Sequence, residues 1–279
     1  MKKTLLLLSL LFVTTLSYSQ KKERVKGSKI VTTEIKKIES FKSLEVNDNL
    51  EVFIIKGTQC GLEIEADDNL HETIDAVISG SNLKLSTLKE AFGYKKLSIR
   101  VTYTDDFNLV VTHNESSVTA LADIELENIT FKSYDESKLY LNSKSKNLSI
   151  LMDDKSKGEL NTAGDNLIIS LVKNASLKAL VNNTATMTLD MYQKSDVVLN
   201  GAIENCKFRM DNNTQLDAKN CLVQNAEIIC EAYSNASIHV KKTLAIEASG
   251  KAEIELYGDQ KIDLRRFVDN AILRKKPTK

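Results

Sequence analysis

The sequence predicts an all-β protein, a single-domain parallel β-helix with about 19–20 residues per turn. Three observations predict this fold: a repeat of about 19 residues in the second half of the chain, alternating apolar and polar residues within each repeat, and a single proline. Units this short cannot bury an apolar face alone, so we expect them to stack and to hydrogen-bond in parallel. The variable repeat length favours a right-handed helix with loops of different sizes.

The first strand of each repeat is predicted from two apolar positions that lie two residues apart and therefore point to the same side. The first position holds Ile129, Leu148, Leu167, Met187, Cys206, Ile228 and Leu244. The second position holds Phe131, Ile150, Ile169, Leu189, Phe208, Cys230 and Ile246. The residue after the second position is polar in all but one unit, which indicates a strand with one buried face.

A second strand is predicted after a short polar turn in every repeat. Its first inward position holds Leu139, Gly158, Leu177, Val197, Leu216, Ile238 and Ile254. The turn before it ends in one small residue: Ser137, Ser156, Ala175, Ser195, Thr214, Ala236 and Ala252. Asn, Asp, Lys and Gly occupy the other turn positions, as tight turns require.

The charge balance bears on the class of partner. The chain carries 38 basic and 38 acidic side chains, which gives a formal net charge of zero. This balance argues against a nucleic-acid-binding protein, which usually presents a basic face. The single proline, Pro277, lies in the tail, and this position fits a body held together by backbone ladders, because proline cannot donate to them.

Residues 1–19 are predicted to be a secretory signal peptide. Lys2 and Lys3 give the positive start, an apolar stretch follows, and a small-residue cleavage site precedes Gln20. The apolar stretch is too short for a membrane anchor. A lipoprotein would need a cysteine at the cleavage point, and the sequence has none there. We therefore expect an exported protein, located in the periplasm or at the cell surface, without a transmembrane segment.

The remaining chain divides into three predicted parts. Residues 20–40 are rich in Lys and Glu and are expected to be a mobile lead-in, and residues 41–262 are expected to form the β-helix. Residues 263–279 lose the pattern and are predicted to form a C-terminal cap and a solvated basic tail. In this cap, Phe267, Ile272 and Leu273 are expected to fold over the last rung and cover its open edge.

The four cysteines are predicted to be free thiols, although export would permit disulfides. Cys206 and Cys230 fall on adjacent turns at inward positions that lie two residues apart. Their Cα atoms would then be roughly 8 Å apart, beyond the limit of about 7 Å for a disulfide. Cys60 and Cys221 have no evident partner.

Three segments carry a resemblance to a known family. Residues 41–57 (FKSLEVNDNLEVFIIKG), 62–70 (LEIEADDNL) and 82–85 (NLKL) resemble the opening of the head GIN domain of putative auto-transporter adhesins, a family common among exported Bacteroidetes proteins. Residues 244–258 (LAIEASGKAEIELYG) resemble its final rung. The resemblance spans roughly residues 41–262 and implies an adhesin-like protein, but it supplies no catalytic residues.

Two sets of turn residues are candidate sites. Tyr134, Tyr192 and Tyr233 are predicted to share one turn column, where exposed rings could bind sugars, although tyrosines at strand ends are common. Asp135 and Asp154 are predicted to share a column on successive rungs and could share a calcium ion. That column continues with Lys173 and Gln193, so solvated turn residues are the simpler interpretation. No cofactor is expected.

The preferred functional hypothesis is an exported, adhesin-like binding or structural module of the cell envelope, without catalytic activity. Its partner would be an envelope glycan or protein and not nucleic acid. The alternative hypothesis is a carbohydrate-active enzyme, a polysaccharide lyase or hydrolase on a β-helix scaffold, which would need carboxylates clustered on one face. A third hypothesis is self-association through an end or a flat face of the helix.

Overall fold

The computed structural model describes residues 22–277, and it confirms the predicted all-β solenoid. The predicted signal peptide, residues 1–19, lies outside the described range. Between residues 22 and 277 the chain forms 23 strands, β1 to β23, and a short 3-10 helix, Asp68–Thr73. No helix in this range is long and apolar enough to cross a bilayer.

The first eleven strands form an irregular N-terminal region. They are β1 (Arg24–Lys26), β2 (Val31–Lys36), β3 (Ser43–Val46), β4 (Glu51–Lys56), β5 (Gly61–Asp67), β6 (Ile74–Ser79), β7 (Asn82–Thr87), β8 (Glu90–Phe92), β9 (Leu97–Tyr103), β10 (Leu109–Thr112) and β11 (Ser117–Ala120). Three of their pairings are antiparallel: β2 with β5, β5 with β9, and β6 with β7. The predicted mobile lead-in, residues 20–40, therefore contains two paired strands, since β1 also pairs with β8.

The regular rungs follow from residue 128 onwards. Their strands are β12 (Asn128–Ser133), β13 (Lys138–Ser143), β14 (Asn147–Met152), β15 (Lys157–Thr162), β16 (Asn166–Leu171), β17 (Ser176–Tyr192), β18 (Asp196–Asp211), β19 (Gln215–Cys230), β20 (Asn235–Ala248), β21 (Glu253–Tyr257), β22 (Lys261–Phe267) and β23 (Ile272–Lys275). All their pairings are parallel. The long strands β17 to β20 are interrupted by register shifts, and their N-terminal and C-terminal parts pair with different strands, so each contributes to two sides of the solenoid.

The rungs build two flat sides that enclose the core. Face A consists of the first strands: β3, β7, β10, β12, β14 and β16, the C-terminal parts of β17 to β20, and β22. Face B consists of the second strands: β4, β9, β11, β13 and β15, the N-terminal parts of β17 to β20, β21 and β23. Ile150, Ile169 and Leu189 pair in register on face A and are fully buried, which confirms the predicted apolar ladder.

The N-terminal rungs do not follow the chain in order. Strands β3 and β4 lie between β7 and β9 on one side and β10 and β11 on the other. The chain thus returns to the N-terminal end through β5 to β9 before it continues along the solenoid. Alternation of apolar and polar residues predicts strands here but carries no information about this order.

The predicted columns are wrong by two residues in one rung. Cys206 pairs with Ala226 rather than Ile228, so Ile228 follows Phe208 and Cys230 follows Met210. Alternation cannot reveal this displacement, because the strand period is two and a shift of two residues leaves every side chain on its own face. On face B, Ala236 likewise follows Leu216 in place of Ile238, and Ser234 takes the small turn position assigned to Ala236.

The turns between the two faces share one backbone conformation. In most of them two successive residues have positive φ, for example Asp135 at 53° and Glu136 at 61°. The Ser137 N–H donates to the Tyr134 carbonyl oxygen at 3.0 Å, which closes a type I′ turn. Successive turns also pair, because the Glu136 N–H donates to the carbonyl oxygen of Asp154 at 3.0 Å. These stacked turns form a continuous ridge, here called the turn ridge.

The cysteines agree with the predicted free thiols. No disulfide joins any of the four, all of which lie within the described part of the chain. Cys206, Cys221 and Cys230 are buried, and burial raises the pKa of Cys221 and Cys230 to about 12. Such thiols remain protonated near neutral pH and behave as small apolar side chains.

The predicted C-terminal cap is not a lid over the last rung. Strands β22 and β23 continue the solenoid as one more rung, paired to β20 and β21. Phe267 and Ile272, which were expected to cover the end, are themselves partly exposed, while Leu273 packs beside Ile254. The predicted solvated tail also begins later, because Arg274 and Lys275 belong to β23.

Candidate binding surface

Face A carries a ladder of hydrogen-bonded polar side chains. The Asn147 amide donates to the Asn128 side-chain oxygen at 2.9 Å, and the Asn166 amide donates to the Asn147 oxygen at 2.7 Å. Thr186 donates to Asn166, the Asn205 amide donates to the backbone carbonyl oxygen of Ala185 at 3.4 Å, and the side chains of Asn225 and Thr243 continue the ladder from Asn205. Because these groups largely satisfy one another, the ladder stabilises the face and leaves few groups free for a ligand.

Face B carries an exposed aromatic ring instead. Tyr140, Glu159 and Lys178 lie in register on successive rungs, and their side chains point outward. The Tyr140 side chain is 41% exposed, although it sits in the middle of a strand. A ring, a carboxylate and an ammonium group are therefore held in one row, with about 4.8 Å between neighbouring strands.

Two cavities adjoin this row. They have volumes of about 550 Å³ and 250 Å³, and both are lined by Tyr140, Glu159 and Lys178. Asn142 and Asn161 border the larger cavity, and Lys138 and Lys157 border the smaller one. We call this region the Tyr140 groove.

The side chains of the Tyr140 groove match the chemistry of a sugar. The flat apolar face of a phenol ring can pack against the C–H groups of a pyranose, while amide, carboxylate and ammonium groups bond its hydroxyls. The Asn161 side-chain oxygen accepts a hydrogen bond from the Asn182 amide at 2.9 Å, but the Asn161 amide donates only a long bond of 3.5 Å to Asn142 and so keeps donor capacity for a ligand. The rigid ladders beneath the groove hold these groups in place at little entropic cost.

One carboxyl group of the groove is perturbed. Asp196 lines the smaller cavity. Partial burial, and then the nearby Asp217 carboxylate, raise the pKa of Asp196 above its ordinary range. A carboxyl whose pKa is raised keeps its proton to a higher pH than an isolated carboxyl, so it is available as a general acid over a wider pH range.

The comparison with known proteins identifies the family. Residues 40–180 and 155–259 match the sequence family described as "Putative auto-transporter adhesin, head GIN domain". The chain belongs to this family. None of the curated proteins matches the chain in sequence.

Three solved structures with a similar fold come from Parabacteroides species. A putative adhesin from Parabacteroides merdae has 15% identity and a TM-score of 0.57, covering 92% of this chain and 98% of its own. A putative lipid binding protein from Parabacteroides distasonis has 14% identity, the same TM-score and the same coverage. A putative adhesin from P. distasonis has 14% identity and a TM-score of 0.55, covering 90% of this chain and 100% of its own. At these identities the likeness shows the fold alone.

The predicted tyrosine column of this head GIN domain is wrong for Tyr233. Tyr134 and Tyr192 do share a turn column, three rungs or about 14 Å apart. Tyr233 falls in another column because its rung is displaced, and Glu231 occupies the expected position. The Tyr134 ring stacks on His113 with 4.9 Å between ring centroids.

The remaining tyrosine contact is also local. The Lys251 ammonium lies over the exposed Tyr233 ring, 5.1 Å from its centroid. The three turn tyrosines therefore do not form a continuous aromatic surface. Tyr140 does offer an exposed ring on face B. The sequence feature that could have indicated this is an aromatic residue at an outward position of a predicted strand.

Asp135 and Asp154 lie on adjacent rungs of the turn ridge, as predicted. Both have positive φ, a conformation that aspartate tolerates better than most residues, so the backbone explains their presence. The Asp135 carboxylate also lies 3.0 Å from the His113 Nδ1 atom. Within residues 22–277 no group of three or more His, Cys, Asp or Glu side chains is placed to hold a metal ion.

Proposed function

We propose that this head GIN domain is an adhesin-like binding module of the cell envelope that holds a glycan in the Tyr140 groove. The observation that carries the proposal is the exposed Tyr140 ring in register with Glu159 and Lys178. Membership of the adhesin family supports a binding role, and the rigid parallel ladders suit a surface that must keep its shape. Binding without catalysis is part of the proposal.

The proposed location is outside the cytoplasm. The predicted leader, the family assignment and the relatives described as adhesins support export to the periplasm or the cell surface. One relative is described as a lipid binding protein, which keeps lipid-containing glycans among the ligands to be screened. Cell fractionation of a tagged chain, with and without residues 1–19, tests the location. Retention of the full-length chain in the cytoplasm would contradict export.

The glycan proposal is tested with the chain from residue 20 onwards and an array of envelope polysaccharides, followed by calorimetry on the best ligand. Tyr140→Ala should weaken binding about tenfold, because the sugar ring loses its stacking partner. Tyr233→Ala is the matched control, since Tyr233 is more exposed but lies on the turn ridge. Equal losses in both variants, or none in Tyr140→Ala, would contradict binding in the groove.

A second candidate function is polysaccharide hydrolysis, which the raised pKa of Asp196 beside Asp217 favours. Incubating the protein with the polysaccharides that it binds, and measuring new reducing ends, separates the two functions. Cleavage that disappears in Asp196→Asn but persists in the surface variant Asp165→Asn would establish an enzyme. Binding without release of reducing ends supports the module.

A further inference from the structure

The C-terminal end of the solenoid is open. Strands β22 and β23 are paired on one side only, to β20 and β21, within the described residues. Ile262 and Leu264 continue the buried face A ladder below Leu244 and Ile246. Because no further rung follows among the residues described, they are 40% and 54% exposed, whereas Leu244 and Ile246 are buried.

Other apolar side chains extend this exposed end. Phe267 stands below Ala248 in the same ladder, and Val268 and Ile272 flank the final turn. Each of the three is 37–40% exposed. Three apolar side chains therefore line the open end, Val268 and Ile272 lie beside them at the final turn, and exposed apolar side chains on one rung mark an interaction surface.

The same tip is basic. Residues 261–277 contain six cationic and only two anionic side chains, Asp263 and Asp269. Five of the six cations pair with carboxylates, namely Asp263 on the same strand and, in earlier parts of the chain, Glu227, Glu231, Glu253, Glu255 and Asp259. The outermost rung itself has four more cations than anions, and although carboxylates of earlier segments offset part of this charge, the excess around the apolar side chains favours an anionic partner.

The edge of this rung is poorly suited to strand addition. The register shifts between Ile246 and Glu247, which places a bulge at Arg265 in β22. Lys275 stands in register with the inward-facing Leu256, so a cation interrupts the apolar row of face B. Bulges and inward-pointing charges are devices that prevent an edge strand from pairing with another chain. A partner that needs no strand pairing fits the tip better.

We propose that the open C-terminal end docks onto an anionic lipid surface. The apolar side chains would enter the boundary between headgroups and acyl chains, and the surrounding Arg and Lys side chains would contact lipid phosphates. The solenoid would then stand on the membrane with both faces exposed. Tyr140 lies seven rungs from Arg274, so the groove would be held about 34 Å from the docked end.

The test is cosedimentation of the chain from residue 20 onwards with vesicles. Vesicles of phosphatidylglycerol and phosphatidylethanolamine in equal parts should bind the protein, and pure phosphatidylcholine vesicles should bind it about tenfold less, because they lack net negative charge. Raising the salt to 0.5 M should reduce binding to the anionic vesicles, since screening weakens the ionic contacts. Failure to bind anionic vesicles at low salt overturns the proposal.

Matched variants locate the docking surface. The double variant Leu264→Ser and Phe267→Ser should lower the partition coefficient about tenfold, because it removes apolar area from the tip. Ile35→Ser is the control, since Ile35 is 76% exposed on the outward side of β2 at the other end. Circular dichroism verifies that each variant folds. Equal partitioning of the double variant and the control overturns docking through this end.

Light scattering distinguishes a second copy of the chain. A lipid-binding tip predicts a monomer in solution for both the parent protein and the double variant. A dimer of the parent that the double variant converts to a monomer would show that the apolar tip is a protein interface, and would overturn the proposal. Glycan binding in the Tyr140 groove is measured separately and does not depend on either result.

Discussion

The two ends of the solenoid differ in how the apolar face of the terminal rung is covered. Every stacked repeat leaves an apolar face on its first and last units, and that face must be covered or find a partner. At the N-terminal end, antiparallel strands and the 3-10 helix interrupt the parallel pattern, and Leu70 and Ile74 pack into the core. At the C-terminal end the parallel pattern continues to β23, and no lid covers it within residues 22–277. Covering the N-terminal end of the solenoid requires irregular structure, whereas the uncovered C-terminal end keeps apolar side chains exposed to solvent.

The closed end is fastened by one buried carboxylate. Asp67 is inaccessible to solvent and accepts hydrogen bonds from the backbone N–H groups of Lys29 at 2.8 Å, and of Lys95 and Lys96 at 3.0 Å. It thereby ties the segment between β1 and β2 to the loop before β9. Gly27 allows the close approach, because a Cβ atom there would lie 2.3 Å from the Asp67 carboxylate. The open end has no comparable fastening among the described residues.

The largest effect is expected from a charge placed midway between the ends. Ile169→Asp should destabilise the protein by more than about 4 kcal/mol, because it buries an unpaired carboxylate between Ile150 and Leu189. Urea denaturation followed by circular dichroism measures the effect. Lys132→Asp, at an outward position of the same face, is the control and should change stability by about 0.5 kcal/mol or less. Similar losses in the two variants would contradict the assignment of inward and outward positions.

A smaller effect should separate the two ends directly. Leu83 and Leu264 are both inward leucines at the limits of face A, but Leu83 contacts strands on both sides and is buried. Leu83→Ala should therefore cost about 2–4 kcal/mol, the usual range for a buried leucine. Leu264→Ala should cost less than about 1 kcal/mol, since over half of its side chain already faces solvent. Urea unfolding of both variants measures the difference, and equal costs would show that the C-terminal end is closed in solution.

The sequence was sufficient to predict the regular rungs because their physics is local and repeated. Alternation placed Ile150, Ile169 and Leu189 inside correctly, since burial on one side of a strand has a period of two. The same period hid the displaced rung at Cys230, where only the turn geometry fixes the register. Ala232 has a φ of 56°, so the turn lies at a residue that gives no turn signal.

The closed end and the groove were less predictable. The antiparallel pairing of β2 with β5 brings together segments about 30 residues apart, and no repeat specifies which strands meet. The Tyr140 groove likewise depends on side chains from several rungs, such as Tyr140, Glu159 and Lys178, that become neighbours only through the register. The turn tyrosines are candidates because of their residue type, which the sequence shows. Tyr140 differs from them by its exposure on face B, which only the structure shows.

The smallest effect should be confined to the closed end. Burial opposes ionisation of Asp67, but hydrogen bonds from the Lys29, Lys96 and Lys95 backbones outweigh it, and the pKa of Asp67 lies below its ordinary value of 3.8. A carboxyl whose pKa is lower in the folded state contributes stability above its unfolded pKa and loses it as pH falls through the folded value. The hydrogen bonds to the ionised Asp67 carboxylate should therefore stabilise the closed end fully near pH 6, and this stabilisation should weaken below pH 3.8.

Hydrogen–deuterium exchange at pH 6 measures this fastening locally. Asp67→Asn should speed exchange in residues 22–36 and 94–97, because an amide offers these N–H groups a weaker acceptor than a carboxylate. Exchange in β14 to β23 should stay unchanged, since Asp67 contacts none of these strands. Glu72→Gln is the control, since this nearby carboxylate is exposed, whereas Asp68 accepts a hydrogen bond from Ser28 in the segment being measured. Faster exchange along the whole solenoid in Asp67→Asn would mean that the two ends do not behave independently.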